Sequence, residues 1–130
     1  MKLLIAFCAV CALVQAWSPP TEAESKKQRD ECFVSENIPK ESQDMLNKGL
    51  FPTHPGCYYR CTGLKSDIWD DVNGYSVDRS YDLLTAEGWE VTKASLRKCN
   101  TPDKKNADPC VWSSAIAKCL WDNDLIKRKA

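Results

Sequence analysis

After residue 16 the apolar residues recur at three- and four-residue intervals, the period of one face of a helix, and no stretch alternates apolar and polar residues as a strand would. Pro19 and Pro20 cannot sit inside a helix and Thr21 can cap one, so a first helix is predicted from about Glu22 to Val34. Pro39 at a first-turn position and Gly49 as a left-handed stop bracket a short second helix. From Cys57 to about Ile68, Tyr58, Tyr59, Leu64 and Ile68 together with two cysteines predict a third, which "DDVNGYS" interrupts. Two more are predicted from Asp78 onward, separated by Gly88. Asp108 followed by Pro109, an N-cap with proline at the first helical position, opens a last helix to about Leu120. The polar loop "NTPDKKNAD" precedes it. The expected fold is all-α, a single domain of about six short helices, without internal repeats.

The first sixteen residues differ from the rest. One lysine, an apolar run from Leu3 to Leu13, and small residues at Val14 and Ala16 form the pattern of a signal peptide cleaved after Ala16. The run is too short to span a bilayer, which takes about 20 residues, so an uncleaved anchor is the weaker reading and no transmembrane segment is expected. The domain is then 17–130, with a secreted, extracellular location. Without Lys2 it carries 17 Lys and Arg against 18 Asp and Glu, a net charge of −1 that gives no reason to expect nucleic acid or an anionic membrane as partner.

Cleavage also removes Cys8 and Cys11 and leaves Cys32, Cys57, Cys61, Cys99, Cys110 and Cys119. An even number in a small exported chain implies three disulfides. In "CYYRC", Cys57 and Cys61 lie one helical turn apart on one stripe, so each sulfur must reach a different element. Cys110 and Cys119, nine positions apart, face opposite sides of the last helix and also need different neighbours. A zinc site would want a second close pair or histidines, but the sole histidine, His54, lies in the turn "FPTHPG". A redox pair reads C-x-x-C, whereas Cys57 and Cys61 have three residues between them. Fifteen pairings of six cysteines remain open at this point.

The spacing C-x₂₄-C-x₃-C-x₃₇-C-x₁₀-C-x₈-C resembles that of the insect odorant-binding proteins, whose hallmark is three residues between the second and third cysteines and eight between the fifth and sixth. The likeness covers the whole domain, and "FPTHPGCYYRC", "DDVNGYSVD" and "DPCVWSSAIAKC" resemble the fatty-acid and general-carrier branch of flies and mosquitoes. The resemblance implies bonds Cys32–Cys61, Cys57–Cys110 and Cys99–Cys119, and a secreted carrier of small hydrophobic molecules: odorants, pheromones or long-chain fatty acids. It implies no cofactor, a monomer or weak dimer, and a chemosensory receptor as a candidate partner. A second reading comes from the salivary effectors of blood feeders, which resemble the same family and whose start is loosely similar to "WSP" at Trp17. Such a protein would sequester host amines or eicosanoids, or act on host proteins.

Physical reasoning supports a carrier on its own terms. A hollow helical shell forgoes packing contacts, and cross-links can offset that loss and hold an apolar cavity open. Aromatic residues are available to line one. In "VWSSAIAKCL", Trp112, Ala115, Ile116 and Cys119 form an apolar stripe, although such a stripe more often serves a filled core. The candidate lining is Tyr59, Leu64, Ile68, Trp69, Leu84, Trp89, Trp112 and Ile116, with Trp121 and Leu125 closing one end. Lys127 or Arg128 is a candidate partner for a ligand carboxylate. "WDDVNG" reads as a turn rather than a calcium loop, since Trp69 and Ser80 would occupy its first and last ligand positions. His54 is read as an exposed turn residue rather than a pH switch. Histidine-dependent catalysis has no plausible centre, and no enzyme activity is expected.

Overall fold

Helix α1 spans Glu22–Ser35 and starts on a reciprocal cap: Thr21 Oγ1 accepts from Glu24 N at 3.2 Å and Glu24 Oε1 accepts from Thr21 N at 3.1 Å. It ends where Asn37 takes a left-handed φ of 51° and Ile38 N donates back to Phe33 O. Helix α2, Lys40–Asn47, follows Pro39, which stands at the N-cap just before the first turn, and stops at Gly49 with φ 76°. The structure is a computed structural model that describes residues 16–100 and 107–129. The leader expected over residues 1–16, with Cys8 and Cys11, lies outside the described residues except for Ala16, as do most of the predicted polar loop and Ala130.

Helix α3, Tyr58–Lys65, is shorter than the apolar pattern predicts. Asp67 turns left-handed at φ 62°, Ile68 N donates to Gly63 O, and the chain leaves the helix. Trp69 therefore belongs to a minute hairpin, β1 (Trp69–Asp70) against β2 (Gly74–Tyr75). Asp70 builds its turn by accepting from Val72 N at 2.7 Å and Asn73 N at 2.6 Å, the turn chemistry expected of "DDVNG". Helix α4 (Val77–Ala86) is capped by Ser76, β3 covers Trp89–Glu90, and α5 (Lys93–Cys99) is capped by Thr92. Helix α6, Pro109–Asp122, begins on Asp108 with proline in its first turn. The chain beyond α6 then returns as β4 (Lys127–Arg128), antiparallel to β3. The fold is all-α, with two two-residue ladders as its only strands among the described residues.

The disulfides tie helices pairwise. Cys61 of α3 bonds Cys32 of α1, Cys57 at the head of α3 bonds Cys110 of α6, and Cys99 of α5 bonds Cys119 of α6, with Cα separations of 5.9, 4.6 and 5.6 Å. This is the pairing the resemblance implies. The cysteines one turn apart reach different helices, and so do the two on α6. Packing divides accordingly. Trp69, Leu96, Trp112, Ile116, Leu120 and Ile126 form the larger cluster, and Cys32, Phe33, Ile38 and Tyr58 form the smaller. Among the described residues no helix is long and apolar enough to cross a membrane.

Candidate ligand cavity

Between the two clusters lies a cavity of about 190 Å³, walled by all six helices, the β1–β2 hairpin and the segments that follow α2 and α6. Helix α3 presents Tyr58, Tyr59, Thr62 and Ser66, a stripe at helical spacing. Helix α4 presents Val77, Ser80, Leu84 and Glu87 along one face, with Leu83 beside them. Helix α6 contributes Ile116, Ala117, Leu120 and Trp121. Ile68, Tyr75, Leu96 and Asn100 complete one side; Ser25, Gln28 and Arg29 of α1 face Leu46, Gly49 and Leu50 on another.

Six of the ten candidate lining residues stand on this wall: Tyr59, Ile68, Leu84, Trp89, Ile116 and Trp121. The other four lie elsewhere. Leu64 is 42% exposed because it sits two positions, about 200°, from Thr62 on the inward face of α3. Trp69 and Trp112 are buried against each other edge to face, centroids 4.9 Å apart, in solid core. Leu125 packs against the larger cluster without reaching the cavity. The groups that sequence reasoning missed are both apolar, such as Leu83 and Leu120, and polar, such as Ser25 and Gln28. The α4 stripe had a readable period, but nothing in a polar α1 face marks Ser25, Gln28 and Arg29 as inward.

One end of the cavity is closed by aromatic rings. Trp89 meets Trp121 edge to face at 5.7 Å, Phe51 lies parallel to Tyr59 at 5.6 Å, and Trp121 Nε1 donates to Gly49 O. The Arg128 guanidinium lies 4.1 Å over Trp89 and donates to Glu87 O, so the β3–β4 ladder and a cation–π contact hold the C-terminal segment on the wall. Gly49 is required here: a Cβ would stand 2.9 Å from the Trp89 ring, and φ is 76°. Lys127 points instead to Glu90 at 3.4 Å.

The wall is mostly apolar but carries four buried polar atoms without a hydrogen-bond partner among the described residues: Arg29 Nε, Tyr59 Oη, Ser80 Oγ and Asn100 Oδ1. Burial pushes the phenols of Tyr58, Tyr59 and Tyr75 up from their ordinary range, and neighbouring tyrosines add to the effect at Tyr59 and Tyr75. All three rings are therefore neutral hydroxyls at physiological pH. The six cysteines among the described residues are all bonded, so none of them offers a thiol to a metal or as a nucleophile, and His54 is exposed, its backbone N–H donating to Ser42 Oγ. Among the described residues no cluster of His, Cys, Asp and Glu could hold a metal ion.

A disulfide-laced helical shell around an apolar cavity with a few polar groups in its wall has the make-up of a small-molecule binding site. The pattern of the PBP/GOBP family matches residues 14–123, and the chain belongs to that family. It is also 30% identical to odorant-binding protein 22 of Aedes aegypti, over all of this chain and 96% of that protein.

Proposed function

We propose that the protein is a secreted carrier that reversibly binds small hydrophobic molecules in this cavity. The observation that carries the reading is the apolar cavity itself, enclosed by helices that disulfides hold apart. Family membership and the likeness to an odorant-binding protein support it. Size narrows the ligand. At about 190 Å³ the cavity is somewhat larger than the ~150 Å³ that accepts benzene in an engineered core, and smaller than the ~300 Å³ at which drug-sized pockets begin. Compact odorant-like molecules fit the space as it stands; a long-chain fatty acid would need the wall to move.

The alternative of a salivary effector finds less support in the wall. Two guanidinium groups, Arg29 and Arg128, against one carboxylate, Glu87, disfavour a cationic amine, and an eicosanoid far exceeds the volume. Isothermal titration calorimetry with compact aromatics, fatty acids and biogenic amines tests the proposal. A carrier gives saturable binding of an apolar ligand with a negative heat-capacity change. The absence of saturable binding by every apolar ligand would defeat it.

A further inference from the structure

Helix α4 walls the cavity but packs chiefly on α5 and β3, whereas α1 and α3 pack on each other. A seam therefore separates α4 from the α1–α3 pair, with wall residues on both sides of it: Val77, Ser80 and Leu84 on α4, Gln28, Thr62 and Ser66 across from them. No disulfide crosses the seam, since the three bonds join α1 to α3, α3 to α6 and α5 to α6.

Side chains cross it instead, at the base of α4. Carbonyls at the end of a helix lack the partners that interior ones have, and three in a row where α3 ends take donors from distant segments. Lys65 O accepts from Gln28 Nε2 at 3.3 Å, Ser66 O from Trp17 Nε1 at 2.9 Å, and Asp67 O from Arg79 Nη1 at 2.8 Å. The Arg79 guanidinium also lies 5.4 Å from the centroid of the Trp17 ring, a cation–π contact. Trp17 is thus pinned to α3 by its N–H and to α4 by its ring. Pro19 and Pro20 stiffen the short segment between this indole and the Thr21 cap of α1. Both Trp17 and Arg79 are half-buried, and neither belongs to the cavity wall.

We propose that Trp17 and Arg79 form a latch across this seam, and that a ligand enters and leaves between α4 and the α1–α3 pair when the latch releases. The proposal rests on the carrier reading and assigns the route into the cavity and the residues that gate it. Because neither side chain touches the guest, the latch is equally strong in the empty and the filled protein, so it has no differential affinity with which to shift the binding equilibrium. It sets how often the seam opens, which scales entry and exit alike.

The test is ¹⁹F exchange NMR with para-fluorotoluene on the disulfide-bonded protein, which reads the dissociation rate from exchange and Kd from titration, for the parent, Trp17→Phe, Trp17→Ala, Arg79→Ala and the double alanine variant. Trp17→Ala should raise both association and dissociation about tenfold and leave Kd within about twofold. Trp17→Phe keeps a ring for Arg79 but loses the N–H, and should raise both rates roughly threefold; it also carries the test if the alanine variant fails to fold. Arg79→Ala removes both links that α4 makes and should exceed Trp17→Ala. Adding Trp17→Ala to it should change the rates by less than about twofold, because without Arg79 the indole no longer reaches α4. Rates equal to the parent's in the single variants overturn the latch and leave the carrier standing. A weaker Kd with an unchanged association rate, the mark of a loosened wall, overturns it too, as do effects that multiply in the double variant. If para-fluorotoluene gives no saturable binding to the parent, the carrier reading fails and the latch with it.

Discussion

Ala117→Leu asks whether the interior is hollow, because the two answers differ in sign. Ala117 lies on α6, buried at 6% exposure, on the wall beside Ile116. Leucine adds three carbons; at about 0.8 kcal/mol per buried methylene the gain is about 2.4 kcal/mol, reduced by about 0.5–1 kcal/mol of lost rotamer freedom. Helix propensity barely changes between the two residues. The variant should thus be more stable by about 1.5–2 kcal/mol if its side chain enters the 190 Å³ space. In an already filled interior the same carbons would overpack and cost about 1–3 kcal/mol.

The two outcomes lie about 2.5–5 kcal/mol apart, well beyond the error of denaturant unfolding. At about 4 °C per kcal/mol for a domain of this size, the expected rise in melting temperature is about 6–8 °C. Measurement belongs on ligand-free protein with its disulfides intact, since a retained ligand would stabilise the parent and mask the gain. Affinity for a compact aromatic ligand should fall in the same variant, because leucine and ligand compete for one volume. A variant that is destabilised by 1 kcal/mol or more and still binds ligand as the parent does would refute the cavity as the seat of binding.

Gly63→Ala should destabilise by about 1–2 kcal/mol although alanine is the better helix former by about 1 kcal/mol, because the new methyl would stand 2.6 Å from Trp69 Cβ, an atom too near its own backbone to swing away; an unchanged or higher melting temperature would show that the α3–hairpin contact is looser than this. Asp71 is held at about 2, first by the Arg60 guanidinium and then by the Trp69 indole. With the folded pKa below the unfolded one, its stabilisation is complete above about 3.8 and lost as pH falls through about 2. Asp71→Asn should therefore cost stability at neutral pH, and the gap should close over that acid window. Since the pair is more than a third exposed at Asp71, the effect stays below about 1 kcal/mol; a carboxyl titration by NMR with a midpoint near 3.8 would contradict the pairing. Replacing Cys57 and Cys110 together by alanine opens a loop of sequence separation 53, with a loss of up to about 4 kcal/mol in the chain-entropy model, less where the other two bonds still restrain the unfolded chain; denaturant unfolding that shows no loss would remove the restraint argument.

Helix starts and stops were legible because each rests on a local device: the Thr21–Glu24 box, Gly49 at positive φ, the Asp108–Pro109 opening. The end of α3 was not. The apolar run continues through Ile68 and Trp69, while the break comes from a left-handed Asp67, a conformation that its residue type permits but does not announce. Trp69 consequently moved from a candidate wall to the core. The β3–β4 ladder was equally hidden, since two-residue strands 38 positions apart carry no period. The cavity wall was partly legible where it is apolar and helical, at Ile116 and Leu84 but not at Leu83 or Leu120, and not at Ser80 or Asn100. Ser80 and Asn100 look like surface residues in a sequence, and only the packing of α4 against α5 turns them inward. The disulfide pairing came from the likeness to a family, not from the spacing, which left fifteen possibilities open.

The restraints also bear on how the cavity could admit a ligand. Helix α6 is held near both ends, to α3 through Cys110 and to α5 through Cys119, and α3 is held to α1 through Cys61. Four of the helices are thus one covalently connected frame. Helices α2 and α4 carry no cysteine and are kept in place by hydrogen bonds, an ion pair and packing, without a covalent tie. These two also differ in what they bring to the wall. The stretch closing α2 supplies Leu46, Gly49 and Leu50, and Leu50 is 48% exposed, so here wall meets solvent. Helix α4 supplies Ser80 and is held at its base by the Ser76 cap and by Arg79, which donates to Asp67 O at 2.8 Å. Three bonds thus fix the frame of α1, α3, α5 and α6, and any adjustment of the wall to a larger guest falls first on the α2 and α4 segments, which no bond restrains.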